Sequence, residues 1–404
     1  MNIGSLRSGI RMLVLSVAVL SILAGNGDAQ QPAGVTNTTI GPDDVSSIRG
    51  AAERGDAAAQ FKLGVRYATG QGVSIDESLA AEWIRKSAQQ GYLDAEFNLG
   101  LMYADGNGVP QDSEQALVWL RKAADRGDGR AESNLGLMYA NGSGVRQDAA
   151  EAARWYRKAA DHGERTAQFT LGLMYAAGDG VAHDAGQAAS WFRKAAELGH
   201  VLAQYNLGLM YLNADGVTRD VPQAVRWIHN AADAGDAKAQ FAMGVVYANG
   251  TGVTKDDVQA VAWYRKAAEQ GLPDAQTNLG TRYATGQGVG QDPAQAVVWF
   301  SKAADHGDMS AAFNLGVMYA NGTGLATDPI EAYKWIDIAS MRASGDDQKR
   351  GAAALQALHG ALTPAQVIEG EKRAREWLEQ HRCNYKRNRS SRHDRRRTNR
   401  SQVF

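Results

Sequence analysis

Five asparagines recur at Asn98, Asn134, Asn206, Asn278 and Asn314, and four are followed four residues later by a methionine: Met102, Met138, Met210 and Met318. Three residues further on stand Asp105, Asn141, Asn213 and Asn321. Steps of four and three keep such residues on one face of a helix. A carboxamide both donates and accepts, so a column of them could clamp the backbone of an extended peptide. Methionine would serve there as an adaptable apolar lining. The plainer reading is that Asn and Met belong to a packing pattern and hold helices together. Lys62, Thr170 and Ala242 interrupt the column and would give a partner some chemical variety to read.

A second column is acidic: Asp76, Asp112, Asp148, Asp184, Asp220, Asp256, Asp292 and Asp328. Eight carboxylates raise the question of metal ligation. All but the first are followed at the third residue by Gln or Glu (Gln115, Glu151, Gln187, Gln223, Gln259, Gln295 and Glu331), with Leu79 the departure. That is the pattern of a capping box, in which each side chain satisfies an orphan backbone N–H. Pro293 and Pro329 directly follow their aspartates, where a helix tolerates proline best. Helix capping is therefore the preferred reading, and no metal ligand is assigned. His162 and His306 hold equivalent places beside a helix-ending glycine and read as solvated helix ends. No Ser-x-x-Lys, His-Glu-x-x-His or Gly-x-Ser-x-Gly occurs. The Gly-x-Gly turns follow helices rather than strands, against a dinucleotide site. The sequons at Asn141, Asn249 and Asn321 coincide with turns that explain them. No catalytic residue and no cofactor is assigned.

The elements that position these columns repeat every 36 residues. Tyrosine falls at Tyr67, Tyr103, Tyr139, Tyr175, Tyr211, Tyr247, Tyr283 and Tyr319, and tryptophan at Trp83, Trp119, Trp155, Trp191, Trp227, Trp263, Trp299 and Trp335. In the third copy, Ala131, Leu135, Met138 and Tyr139 define one helix face, and Ala152, Trp155, Tyr156, Ala159 and Ala160 define another. Asn-Gly-Ser-Gly separates the two, and Gly163 stops the second. Gly136, inside the first face, should be there because another backbone comes close. A two-helix unit cannot bury its apolar face alone, but a stack of them can. The spacing predicts an all-α chain built as one array. Residues 57–343 hold eight repeats, 43–56 a capping half-repeat, and 344–381 two capping helices, with Thr363 and Gln366 as a further capping box.

The two ends differ from this array. Arg7 and Arg11 precede the apolar run 12–24, and Gly27 and Ala29 flank a cleavage point before Gln30. Residues 1–29 therefore read as a secretory signal peptide, and 30–42 as a flexible linker. Residues 382–404 contain nine Lys or Arg against Asp394 alone, whereas 30–381 hold 32 basic and 42 acidic residues. The tail reads as disordered and suited to phosphates or other anions of an envelope surface, or to docking on the acidic array. Nucleic acid is disfavoured, because only Tyr385 and Phe404 could stack on bases. Cys383 is the sole cysteine, so no intramolecular disulfide supports the array.

The pattern Ala-x-x-x-Leu-Gly-x-Met-Tyr-x-x-Gly-x-Gly-Val-x-x-Asp-x-x-x-Ala-x-x-Trp-x-x-x-Ala-Ala-x-x-Gly, over about 57–343, resembles the Sel-one-like repeat, a branch of the tetratricopeptide-type solenoids. The resemblance implies a right-handed superhelical solenoid whose first helices line the concave side. It implies an exported or envelope-associated scaffold or regulator that binds a protein or peptide there, and the chain is expected to be periplasmic or secreted and monomeric. Two rival readings are an envelope hydrolase acting on β-lactams or peptidoglycan, and a polysaccharide- or membrane-surface adaptor using the basic tail. Relatives with a cysteine pair in each repeat are described as β-lactamase-like, and this chain lacks those pairs. Ala214 stands where other copies have the first turn glycine, which leads one to expect a distorted turn in the fifth repeat.

Overall fold

The structure, a computed structural model, describes residues 45–341 and 345–381. The signal segment 1–29, the linker 30–42, the first two residues of the half-repeat and the basic tail 382–404 with Cys383 lie outside the described residues. Nineteen helices and no strand form among the described residues. A short α1 (Val45–Glu53) leads. The first four repeats supply α2 (Ala57–Thr69) and α3 (Glu77–Gln89), α4 (Leu93–Asp105) and α5 (Ser113–Ala124), α6 (Gly129–Asn141) and α7 (Ala149–Asp161), and α8 (Arg165–Ala177) and α9 (Ala185–Glu197). The next four supply α10 (Val201–Asn213) and α11 (Val221–Asp233), α12 (Ala237–Asn249) and α13 (Asp257–Glu269), α14 (Pro273–Thr285) and α15 (Pro293–Asp305), and α16 (Met309–Asn321) and α17 (Pro329–Ser340). Helices α18 (Asp346–Ala361) and α19 (Pro364–Gln380) follow.

The unbroken period suggested one array. Eight repeats of that period are present, and by contact they fall into two compact units, 1–218 and 219–404, with the division inside the loop of the fifth repeat. Within each unit, every hydrophobic cluster that holds a whole helix pair also reaches a neighbouring element. In the first unit, Phe97, Leu120, Leu135, Met138 and Trp155 share a cluster across repeats two and three. In the second unit, Phe300, Leu315 and Trp335 join Ala374 and Trp377 of α19. This is solenoid packing, in which buried surface comes from sequence neighbours.

Each second helix starts at its aspartate, as the spacing requires. The Asp148 carboxylate accepts from the backbone N–H groups of Ala150 and Glu151 at 2.9 and 3.0 Å. The reciprocal half of the expected capping box is replaced. The backbone N–H of Asp148 donates to the Tyr139 carbonyl at 2.9 Å, and the same bond recurs in each of the seven repeats that lie wholly within one unit. The first helix's exposed end thus takes the donor that Glu or Gln would have taken. A full capping box forms only at Thr363 and Gln366 among the described helices.

Glycines explain how the helices approach. A Cβ on Gly136 would lie 2.9 Å from the Tyr156 ring, so the close neighbour there is a side chain of the paired helix, whereas at Gly64 and Gly316 the expected backbone does come close, the Ala80 and Ala332 carbonyls lying 3.0 and 3.1 Å from such a Cβ. Gly144 has φ +69°, and a Cβ there would lie 2.4 Å from the Ser113 carbonyl of the preceding repeat. The turn therefore rests directly on its neighbour's second helix. Ala214 does not distort its turn. It adopts φ 57° and ψ 39°, with its N–H bonded to the Met210 carbonyl as the cap glycines do elsewhere. It does so at the strain that an L-residue bears in the left-handed region.

Candidate peptide-binding face

The asparagine column lies on α4, α6, α10, α14 and α16, and burial divides it. Asn98 and Asn206 are buried, at 2% and 7% exposure, so the folded units shield them from a partner. Asn134, Asn278 and Asn314 are half-buried. The Nδ2 groups of Asn98, Asn134, Asn206 and Asn278 donate to the carbonyls four residues earlier, those of Asp94, Arg130, Leu202 and Asp274, at 2.7–2.8 Å. This bond to the helix's own backbone fixes the rotamer. It leaves an amide one further N–H and the two lone pairs of its oxygen. Where the side chain reaches solvent, that remainder is available to a peptide backbone.

The methionines stand deeper. Met138, Met210 and Met318 are buried, and only Met102 of the four is half-buried. Met138 packs in one cluster with Trp155, and Met318 with Trp335. Their thioethers fill the space beside the indole of the same repeat rather than lining a groove.

Two sets of contacts beside this face were not anticipated from the sequence. On five second helices, α3, α5, α7, α9 and α13, a guanidinium meets the tyrosine hydroxyl of the next first helix. Arg85 donates to Tyr103 at 3.2 Å, Arg121 to Tyr139 at 2.6 Å, Arg193 to Tyr211 at 2.7 Å, and Arg265 to Tyr283 at 2.8 Å, and Arg157 meets Tyr175 likewise. The constant separation of 18 residues was the signal that could have revealed it. A lysine also lies over six of the repeat tryptophans from three residues further on, as Lys158 does over Trp155 at 4.0 Å and Lys194 over Trp191 at 3.8 Å, while Lys334 covers Trp335. These cation–π contacts cover the indole edge while leaving the ammonium solvated. In the fifth repeat His229 and Asn230 replace both cations. His229 meets Asp233 at 3.0 Å and the Trp263 ring edge-on at 5.6 Å.

A second column binds four of the first helices to their own partners. Gln60 accepts from Gln90 at 2.7 Å, Glu96 from Arg126 at 2.9 Å, and Gln240 from Gln270 at 2.8 Å, while Glu132 meets His162 at 2.7 Å. The expected solvated end at His162 is thus half true. The ring is about half exposed, but it covers a buried carboxylate. His306 instead bonds the Lys302 carbonyl at 2.8 Å.

Electrostatics concentrate between repeats two and three. Nη2 of Arg130 bridges Asp94 at 2.7 Å and Asp128 at 2.6 Å, and the guanidinium carbon lies 4.5 Å from the centre of the Phe97 ring. The hydrogen bond that Arg130 donates to Asp128 holds the guanidinium protonated, against the opposing effect of burial. Glu164 beside it is pushed above the usual carboxylate range, first by burial and then by the charges of Asp128 and Glu132, with Arg130 pulling the other way.

Comparison with known proteins accords with this architecture. The family model of the Sel1 repeat matches eight segments, 57–92, 93–128, 129–164, 166–200, 201–236, 237–272, 273–308 and 310–344. The crystal structure of a Sel1 repeat protein from Oxalobacter formigenes is 33% identical, covers 81% of this chain and 98% of its own, and superposes with a TM-score of 0.59. A protective antigen of uropathogenic Escherichia coli displaying an SLR fold is 30% identical over 83% of this chain and 95% of its own, with a TM-score of 0.43. A putative Sel1 repeat protein from Klebsiella pneumoniae is 26% identical over 49% of this chain and 96% of its own, with a TM-score of 0.32. No curated protein matches the chain.

Proposed function

Because the chain belongs to the Sel1 repeat family, we propose that it is an exported, non-enzymatic scaffold or regulator of the bacterial envelope whose first helices receive a protein or peptide. Sel1 repeat proteins are generally protein-interaction scaffolds. Arg7, Arg11, the apolar run 12–24 and the small residues Gly27 and Ala29 support export. The observation that carries the binding reading is the half-buried asparagine on successive first helices, Asn278 on α14 and Asn314 on α16. Of the two, the Asn278 amide has one N–H tied to its own helix.

The test uses one double variant, Asn278→Ala with Asn314→Ala. Each amide hydrogen bond to a desolvated partner contributes about 0.5–1.5 kcal/mol, so affinity should fall roughly 5- to 150-fold. The melting temperature should hold, because back-bonded asparagine adds little to a helix. A partner retained from envelope extract by the native chain, identified by mass spectrometry, supplies the binding measurement. Unchanged affinity per folded molecule would remove the amides from the interface.

The basic segment supports a second role in the same envelope setting. Nine Lys or Arg within 382–404 suit adhesion to an anionic surface. Co-sedimentation with anionic vesicles should weaken when these residues are neutralised and when salt is raised.

A further inference from the structure

Asp94 lies in the first turn of α4, and Asp128 is the N-cap of α6. Arg130 fills the space between their carboxylates, with Nη2 shared by both and Nε donating to Asp128 at 3.1 Å. Five periods later the same two places in the second unit are held by Asp274, in the first turn of α14, and Asp308, the N-cap of α16. Asp308 accepts from the Ala311 N–H at 2.8 Å, as a cap should. The place of Arg130 is taken by Ser310, which is exposed and uncharged. The period pairs two carboxylates in this way at 94/128 and 274/308 only.

Nothing of opposite charge replaces the missing arginine. Among the described residues no Lys, Arg or His forms an ion pair with Asp274 or Asp308. Thr277 brings a buried hydroxyl, 6% exposed, that has no hydrogen-bond partner, and Gln276 next to it holds a buried acceptor that faces the place of His306. The Gln276 side chain is 3% exposed, its Nε2 donates to the Ala268 carbonyl at 3.1 Å, and its Oε1 receives no hydrogen bond. At that place in repeats two and three, Glu96 and Glu132 are met by Arg126 and His162. Both aspartates titrate above the usual range, chiefly through burial. At Asp308 the Asp274 charge adds to this, while the Ala311 and Ser310 N–H groups and the Thr277 hydroxyl oppose it. Asp274 nonetheless reaches solvent, so a ligand has a way in. The second unit thus keeps the acceptors of a guanidinium site without the guanidinium.

We propose that Asp274 and Asp308, with the buried Thr277 hydroxyl beside Asp308, form a site for an arginine side chain presented by a peptide. This deepens the peptide-binding reading and rests on it. The incoming guanidinium takes the place that Arg130 holds in the first unit, donating to both carboxylates. Planar, bidentate recognition favours arginine over lysine. Thr277 stands where Phe97 lies under Arg130, so the floor of this site is polar rather than aromatic. The arginine can come from another protein or from 382–404 of this chain, which holds eight arginines.

The probe is a fluorescein-labelled glycine pentapeptide with one central arginine, and its twin with neutral citrulline. Fluorescence anisotropy at low salt is read on the full chain and on a full chain whose eight arginines in 382–404 are glutamine. The arginine peptide should bind at least 10-fold tighter than its twin. If the chain's own segment is the source, that preference emerges only in the glutamine background. Asp274→Asn with Asp308→Asn should abolish the preference and keep the fold, since asparagine caps a helix as well as aspartate. Ser310→Arg, which restores the arrangement of the first unit, should raise the melting temperature and block the peptide. Equal binding of the two peptides in both backgrounds overturns the proposal, as does undiminished binding by Ser310→Arg. If Asn278→Ala with Asn314→Ala still releases the envelope partner while the two peptides bind alike, the scaffold reading survives and this one falls.

Discussion

Gln168 shows what a single residue contributes when its partner is missing. It is 5% exposed, donates to the Ala160 carbonyl at 3.1 Å, and receives nothing at Oε1. Thirty residues on, where Gln90 and Gln270 serve Gln60 and Gln240, the chain has Leu198, an apolar side chain 51% exposed. An unfilled buried acceptor costs more than a made bond gains, so supplying the donor should help twice. Leu198→Gln is expected to raise unfolding stability by about 0.5–1.5 kcal/mol, with the denaturant midpoint as the measurement. A lower midpoint would mean that the glutamine does not reach. The spacing of 30 stood open in the sequence but lies beyond the three- and four-residue steps that define a helix face. The same limit hid the burial of Asn98 and Asn206. Helical periodicity places a side chain on a face, whereas the bulk of neighbouring helices decides whether that face meets solvent.

Helix ends and glycines were largely legible, because a turn constrains residue type through local backbone geometry. All eight aspartates cap their helices as read from spacing. The loss of the reciprocal Gln and Glu contacts was not legible, because the Tyr139 carbonyl and its counterparts take the same N–H only once the loop has folded. The close neighbour of Gly136 was equally hidden: it is the Tyr156 ring, 4% exposed on α7. That burial pushes the Tyr156 phenol above its ordinary pKa. The folded helix pair keeps the phenol neutral, while the unfolded chain ionises it near pH 10. Stability from this group is therefore complete below about pH 10 and is lost as pH rises through the folded value. Tyr156→Phe removes that alkaline loss. Its unfolding midpoint in an alkaline titration should lie at higher pH than that of the native chain, with stability at pH 7 changed by less than about 1 kcal/mol. Coincident alkaline limbs would show that Tyr156 stays protonated through unfolding or reaches water before it.

At the scale of the whole chain, the 36-residue period was legible because it is carried by the largest side chains, which cannot vary without emptying a cluster. The division after Thr218 was not, because the period runs through it unbroken. Only local departures mark that repeat: Ala214 in a glycine's place, and His229 and Asn230 where neighbours carry Arg and Lys. Within a unit, contacts are between neighbours, so damage should stay near its origin. Trp155 offers the sharpest test in the first unit. It is 5% exposed, packs with Leu120, Leu135 and Met138 across repeats two and three, and lies beneath Lys158. Trp155→Ala removes that burial and leaves a cavity between two rigid helix pairs, a loss of about 3–5 kcal/mol. Hydrogen exchange should quicken first in α4 to α9, which contact the emptied space or its immediate neighbours. The amides of α2 should keep their protection, because the cluster that Trp155 joins reaches no further than α4 and leaves the packing of α2 on α1 and α3 intact. Uniform loss of protection from α2 to α9 would mean that the unit unfolds as a single cooperative block, and that the repeats share one core rather than a chain of pairwise ones.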